Sequence, residues 1–219
     1  MTERREPSDN ERKAAVLEAA LGYAAKDGFG DRTMTRAGTD AGIGCEVMLH
    51  LFPQGAASLV EFYSEWNDAQ MEHLLAKENL TEMKIRDRIA TAVLKRLEVL
   101  KSHKEAARRA AAFLLIPAHA ALGLKLLYRT VDAMWRAVGD TSTDFNFYTK
   151  RAILAGVYSS TMIRWFNDAS EEGDETREFL SARIENVMQF EKFKAEVRER
   201  TRDWPSFEDV LKGFTARRS

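Results

Sequence analysis

Apolar residues recur every three or four positions along nearly the whole chain, the spacing that gives a helix one face to bury. From Glu11 to Asp27, Ala15, Leu17, Leu21 and Ala24 form such a face, and Gly28 ends the helix. Two short helices, Thr33 to Gly42 and Cys45 to Phe52, flank a Gly42–Gly44 turn, and Pro53-Gln54-Gly55 then breaks the chain. A long helix over Ala56 to Asn79 carries Leu59, Phe62, Tyr63, Trp66, Ala69 and Leu74 or Leu75. The next, capped by Thr81, keeps the period through Ile85, Ile89, Ala92, Val93, Leu97 and Leu100. Glu105 to Ile116 is stopped by Pro117.

The most apolar stretch runs from Leu122 to Asp168 and reads as two long helices joined by a polar turn. Leu124, Leu127, Val131, Met134 and Val138 make one core-facing stripe, with Tyr128, Asp132 and Trp135 beside it. Gly139 closes the first helix, and Thr143 or Asp144 caps the second. Leu154, Val157, Tyr158, Thr161 and Trp165 share a face of that second helix, while Ala152, Gly156 and Ser160 lie on another. Small residues one turn apart let a backbone or a thin ligand come close. On the residues alone they serve helix packing, and a lipid-lined channel is the sharper reading. Leu180, Ile184, Val187 and Met188 define a last core helix, continuing brokenly to Arg202. With no alternating strand pattern, the chain is all-α.

The pattern divides residues 1–10, an arm; 11–54, a helix-turn-helix-like unit; 55–190, the main helical core; 191–203, a charged tether; and 204–219, a terminal helix. Helix, Gly-Phe, Thr-x-x-x-x-Gly, three-residue turn and a helix ending in Phe-Pro resemble the N-terminal domain of TetR-type repressors. In the terminal segment Ser206 and Asp209 form a capping box behind Pro205. Phe207, Val210, Leu211 and Phe214 fall on one face near Trp204, with Lys212, Arg217 and Arg218 on or beyond the polar side. Such a helix either docks on the body or attaches reversibly to an anionic bilayer surface.

Charge changes the picture for nucleic acid. The whole chain is at −1, but residues 1–80 hold eight Lys/Arg against fourteen Asp/Glu, a net of −6 that leaves +5 for the rest. Phosphate contacts need cations, and the second short helix, Cys45 to Phe52, has one acid and no Lys or Arg. The helix-turn-helix is therefore expected to be a packing unit that binds no nucleic acid. The single cysteine, Cys45, excludes an internal disulfide and fits a reducing compartment. A start that mixes four basic with four acidic residues over MTERREPSDNERK has the character of neither a secretory signal nor a transit peptide, and a cytoplasmic protein is expected.

Catalytic patterns are missing. The four histidines, His50, His73, His103 and His119, have no glutamate three residues before them, so di-iron Glu-x-x-His pairs are absent. Glu65, Asp68 and Glu72 share a helix face near His73, which reads as a solvated acidic face. Gly28-Phe29-Gly30 follows a helix and not a strand, so it is no dinucleotide loop. Neither metal nor cofactor is expected, and the chain reads as a non-enzyme.

Asp132 with Trp135, Gly139-Asp140, Ser142 to Asn146, Tyr148 to Arg151 and Leu154 to Tyr158 together resemble the signature block of the ubiquinone-biosynthesis accessory proteins. These are coenzyme-Q lipid-binding proteins on a TetR-like fold. The resemblance implies a lipid chamber lined by Leu127, Val131, Met134, Leu154, Gly156, Tyr158, Met162 and Trp165. It implies partner docking at Asp132 and Trp135 toward a ubiquinone-pathway hydroxylase, and membrane binding through Trp204, Phe207, Val210, Leu211 and Phe214. It also implies an isoprenoid quinone or phospholipid as ligand, and peripheral association with an inner membrane. Helices of the central pair form dimer contacts in TetR-like proteins, so a homodimer is expected, with Trp135 as an alternative interface residue. A TetR-type ligand-responsive regulator would share the fold and the chamber.

Overall fold

A computed structural model describes residues 6–140 and 145–200, with the backbone alone described at 145, 146, 191–195 and 197–200. The terminal helix expected over 204–219, with Trp204, Phe207, Val210, Leu211 and Phe214, lies outside the described residues, as do Thr143 and Asp144.

The described residues form nine α-helices and no strand. Helix α1 (Asp9–Asp27) starts earlier than expected because Ser8 caps it: the Ser8 amide donates to Glu11 Oε2 at 2.6 Å, and Ser8 Oγ accepts from the Glu11 amide at 3.3 Å. Val16, Leu17, Ala20, Leu21 and Ala24 fill its buried face. Helices α2 (Asp31–Asp40) and α3 (Cys45–Leu51) make the helix-turn-helix. Their turn is tight because Gly42 takes φ +67° and Gly38 lies under Met48, where an added Cβ would meet the thioether at 3.1–3.3 Å.

Helix α4 (Ala56–Leu75) packs against α5 (Ile85–Leu100) and α7 (Ala120–Ala137). The residues before α5 form a separate 3-10 turn, Leu80–Glu82, and Lys84 occupies the N-cap position, so Thr81 does not cap as the sequence suggested. Helix α6 (Lys104–Leu114) continues from α5, and the chain turns through 92° at Pro117 into α7. That bend lays α7 across α6 at Gly123, where an added Cβ would come within 3.1 Å of the Leu114 carbonyl oxygen. Helix α8 (Phe145–Asn167) pairs with α7, and α9 (Asp174–Arg200) is one unbroken helix.

The chain divides into two units, residues 1–180 and 181–219. The first holds a core of Leu59, Val60, Met71, Leu75, Val93, Val131, Met134, Leu154 and Leu180. In the second, Ile184, Val187 and Met188 are half-buried and Phe190 is exposed. Among the described residues no single helix is long and apolar enough to cross a membrane.

Candidate ligand cavity and the clamp beside it

Helices α4 to α8 do not close on one another completely. Between them lies a cavity of about 510 Å³, within the range of small-molecule sites. It occupies the first half of α7, at Ala120, Gly123, Leu124, Leu127 and Thr130, and the last half of α8, at Tyr158, Ser159, Met162, Ile163 and Phe166. This positioning follows from the sequence: α6 faces the space with Ala107, Ala110 and Ala111, side chains too short to reach the neighbouring helices.

The cavity has two unlike ends. At the rim, Leu115, Leu124 and Ile163 are 83%, 70% and 65% exposed. At the inner end Val60, Tyr63, Arg96, Thr130 and Tyr158 are all buried. There the buried Arg96 donates through Nε to Asp68 Oδ1 at 2.8 Å, and Thr130 Oγ1 lies 3.0 Å from both oxygens of the same carboxylate. Burial raises the Asp68 pKa against the opposing pull of Arg96 and Thr130. Burial also pushes the Tyr63 phenol up to about 12, with Arg96 partly offsetting it, and raises Tyr158. Arg96 and Tyr63 line this end, but Arg96 Nη1 and the Tyr63 hydroxyl themselves are sealed from the cavity space, and neither has a hydrogen-bond partner among the described residues. An unpaired buried polar group costs about 1–3 kcal/mol.

Asp68 corrects the sequence reading of a solvated acidic face. Glu61 and Glu65 do look outward, to Lys125 at 2.6 Å and Arg129 at 2.5 Å. Glu72 and His73 are exposed, but Asp68 is turned inward. Its burial depends on Arg96 and Thr130, which are distant in sequence.

At the opposite end of the α7–α8 pair the helices are clamped. Asp132 is buried and binds Arg151 Nε at 2.6 Å and Arg136. Arg151 also reaches Asp140 at 3.4 Å and the Phe147 carbonyl at 3.1 Å, and its guanidinium stacks 3.4 Å from the Phe147 ring. Lys150 pairs with Asp140 at 3.0 Å, while Trp135 Nε1 donates to the Lys150 carbonyl at 3.3 Å. The expectation that Asp132 and Trp135 form one exposed patch is corrected here: Asp132 is 7% exposed and its oxygens are engaged, whereas Trp135 is half-buried.

The lining residues separate in the same way. Leu127, Tyr158 and Met162 face the cavity. Val131, Met134, Leu154 and Trp165 are buried but off it, because the cavity sits nearer α6 than the middle of the pair. Trp165 lies under Lys104, 5.2 Å away. Gly156 is exposed with nothing within 4 Å of an added Cβ, so the line Ala152, Gly156, Ser160 makes no close approach within this chain. Leu124, expected in the core stripe, is a rim residue. Beyond the pair, Asp168 accepts from Ser170 and from the amide and hydroxyl of Thr176. Burial opposes its ionisation, but these bonds outweigh it and hold its carboxyl well below the usual range. Among the described residues no group of three His, Cys, Asp or Glu could hold a metal ion.

The model of the COQ9 family matches residues 120–191, which begin at α7 and hold both the clamp and the α7 and α8 walls of the cavity. Over 83% of its length the chain is 30% identical to the protein named "Ubiquinone biosynthesis protein COQ9, mitochondrial" from Rattus norvegicus, and likewise to that from Homo sapiens. It is 29% identical over 82% of its length to the Drosophila melanogaster protein of the same name. The chain spans about 60% of the length of these relatives. Among solved structures, a TetR transcriptional regulator from Nitrosomonas europaea superposes with a TM-score of 0.66 at 16% identity, over 81% of this chain and 98% of its own. The chain is thus similar in sequence to the COQ9 ubiquinone biosynthesis proteins and has the all-α fold of a TetR regulator.

Proposed function

We propose that this protein acts in ubiquinone biosynthesis as a non-catalytic accessory protein. It binds isoprenoid quinone intermediates and presents them to a ring hydroxylase at the membrane surface. The observation that carries this reading is the 510 Å³ cavity with walls of Leu, Ala, Met and Phe. About 150 Å³ takes one benzene ring, so the space holds a ring and the first part of a chain, and a long isoprenoid tail runs out past Leu124 and Ile163. The names of the relatives support the pathway. Lipid extracted from the purified protein and identified by mass spectrometry is the test. Ala111→Phe, which fills the cavity from α6, is expected to lower lipid recovery severalfold with helix content unchanged. Equal recovery from a folded Ala111→Phe protein would sink the reading.

Three partners belong to the same proposal. The hydroxylase docks at the accessible edge of Trp135. The terminal helix, through Trp204, Phe207, Val210, Leu211 and Phe214, gives weak attachment to anionic liposomes that is lost on truncation after Arg202. The protein is a homodimer, checked by its mass in solution. A regulator reading draws on the helix-turn-helix, but α3 carries no Lys or Arg, and Arg36 is paired with Asp27 at 3.3 Å. Sequence-selective DNA binding at physiological salt would favour the regulator instead.

A further inference from the structure

We propose that the corner between α6 and α7 dips into a lipid bilayer and sets the mouth of the cavity against it. A lipid chain then passes between membrane and cavity without crossing water. The inference rests on the lipid-binding reading and adds which face of the first unit meets the membrane, independently of the terminal helix.

The sequence leaves this corner without charge. From Ala110 to Leu124 there is no Asp, Glu, Lys or Arg, and the facing wall is equally bare from Ala152 to Ile163. Leu115, Ile116, Pro117 and Ala118 are exposed in succession at the tip, and Leu124 and Ile163 are exposed at the mouth. Leu115, Leu124 and Ile163 also line the cavity, so the exposed aliphatic surface and the apolar interior are continuous. Such a surface is unfavourable in water until something apolar covers it. The bend holds it outward. Phe113 and His119 stack across the turn with ring centroids 4.0 Å apart and 13° between planes, and Gly123 seats α7 against the Leu114 carbonyl.

A bilayer is the cover that fits. Hydrocarbon requires that backbone groups be satisfied from within. The amides of Leu115, Ile116 and His119 are bonded inside the turn at 3.2, 3.3 and 2.8 Å, and Pro117 has no amide to satisfy. A protein partner would look for a polar rim, with about one hydrogen bond per 100–200 Å². The side chains of Leu115 to Ala118 offer it none. The two arms, bent by 92°, together have the length and apolar composition of a membrane segment, which no single helix has among the described residues. Only the tip is free to enter, because Ala107, Ala110, Leu126 and Val131 are packed into the body. Arg109 and Lys125 bracket the uncharged run, where lipid headgroups would meet them. Each already holds a glutamate, Glu105 at 3.3 Å and Glu61 at 2.6 Å, so the aliphatic tip and not charge supplies most of the attraction.

The single cysteine makes the test direct. In the full-length chain with Cys45→Ser, one cysteine is placed by Leu115→Cys, Ile163→Cys or Leu49→Cys and labelled with the fluorophore NBD. Leu49, 66% exposed on α3, is the control. Vesicles of phosphatidylcholine and phosphatidylglycerol are added, with and without doxyl-labelled lipid. Emission from Leu115→Cys and Ile163→Cys is expected to rise severalfold and to be quenched by the doxyl lipid, while Leu49→Cys emits as in water. In the unlabelled chain Leu115→Asp is expected to weaken vesicle binding roughly tenfold, the order of one aliphatic side chain kept from apolar contact. Its melting temperature should be unchanged. Corner labels that stay in water on vesicle-bound protein overturn the proposal and leave the lipid cavity and the terminal helix standing. Entry of Leu115→Cys without Ile163→Cys puts the mouth off the membrane and overturns it as well. Labels shielded before vesicles are added reveal a protein cover, a second copy or another segment, and do the same. Purified protein that carries no lipid overturns the reading beneath it.

Discussion

Arg96 and Arg151 are two buried arginines on one molecule, each paired with a buried aspartate; Arg151 binds α7 directly and Arg96 is joined to it through Asp68 and Thr130. Arg151 is saturated. It reaches Asp132, Asp140, a backbone carbonyl and an aromatic face, and so ties α8 to α7 at the signature-block end. Arg96 has a single carboxylate and an Nη1 buried without a partner among the described residues. Burial and charge are alike in both. What differs is leftover valence: the clamp uses up its donors, whereas Arg96 leaves one unused.

The largest expected effect falls on the clamp. Arg151→Met leaves the buried Asp132 to the exposed Arg136 and Asp140 to Lys150, and removing one partner of a buried pair typically costs about 3–5 kcal/mol. Chemical denaturation should show that loss, while lipid recovered per folded molecule stays at the wild-type level because the cavity lies at the far end of the helix pair. Stability near wild type would mean that the clamp is ornamental and would erase the contrast.

Much of this architecture is legible along the chain. Periodicity marks the helices to within a few residues, and Pro117 marks the bend that opens the cavity. The block Asp132, Trp135, Asp140, Lys150 and Arg151 was recognisable by its residue types, yet its geometry was not. An aspartate at i and a tryptophan at i+3 share a face whether that face meets solvent or another helix, and only Arg151 on α8 decides for burial. Asp68 hides for the same reason: its neighbours Glu65 and Glu72 point outward, and its partners are 28 and 62 residues away. Leu124 looks like core by spacing, but no helix of the first unit covers it. Spacing gives the face of a helix; what lies opposite is set by the bend at Pro117 and by three short alanines on α6.

An alkaline titration sharpens the Arg96 side of the comparison, through its neighbour Tyr63. The Tyr63 phenol is raised to about 12 in the fold, chiefly by burial, whereas the unfolded chain ionises near 10. The folded state thus holds the proton more tightly. Its contribution to stability is complete below pH ~10 and is lost as pH rises toward 12, by up to about 2–3 kcal/mol. Wild type should lose stability relative to Tyr63→Phe across that window. Parallel curves would show that the hydroxyl reaches water.

Trp135 tests the accessible edge of the clamp. A fully buried Trp→Ala change costs about 3–5 kcal/mol. Trp135 is half-buried with one hydrogen bond to the Lys150 carbonyl, so Trp135→Ala should cost about 1–2 kcal/mol. If it is the docking edge, co-purification with the pathway hydroxylase is lost at temperatures well below the melt. Retained co-purification makes Trp135 a structural member of the clamp and moves docking elsewhere.

The smallest effect on stability is expected where the comparison is sharpest. Replacing both members of a buried ion pair by apolar residues of similar size is often neutral or stabilising. For Arg96→Met with Asp68→Leu the outcome should lie within about 1 kcal/mol of zero, because the lost attraction is offset by lost desolvation and by removal of the bare Nη1. The matching change at the clamp, Arg151→Met with Asp132→Leu, discards more: Asp140 and the Phe147 carbonyl lose a donor, and Arg136 loses its carboxylate. It should therefore remain destabilising by more than about 2 kcal/mol. Urea denaturation of the two double variants, side by side, decides it. Equal losses would show that the two arginines hold the fold alike, and the contrast between a saturated and an unsaturated donor set would carry no energetic weight.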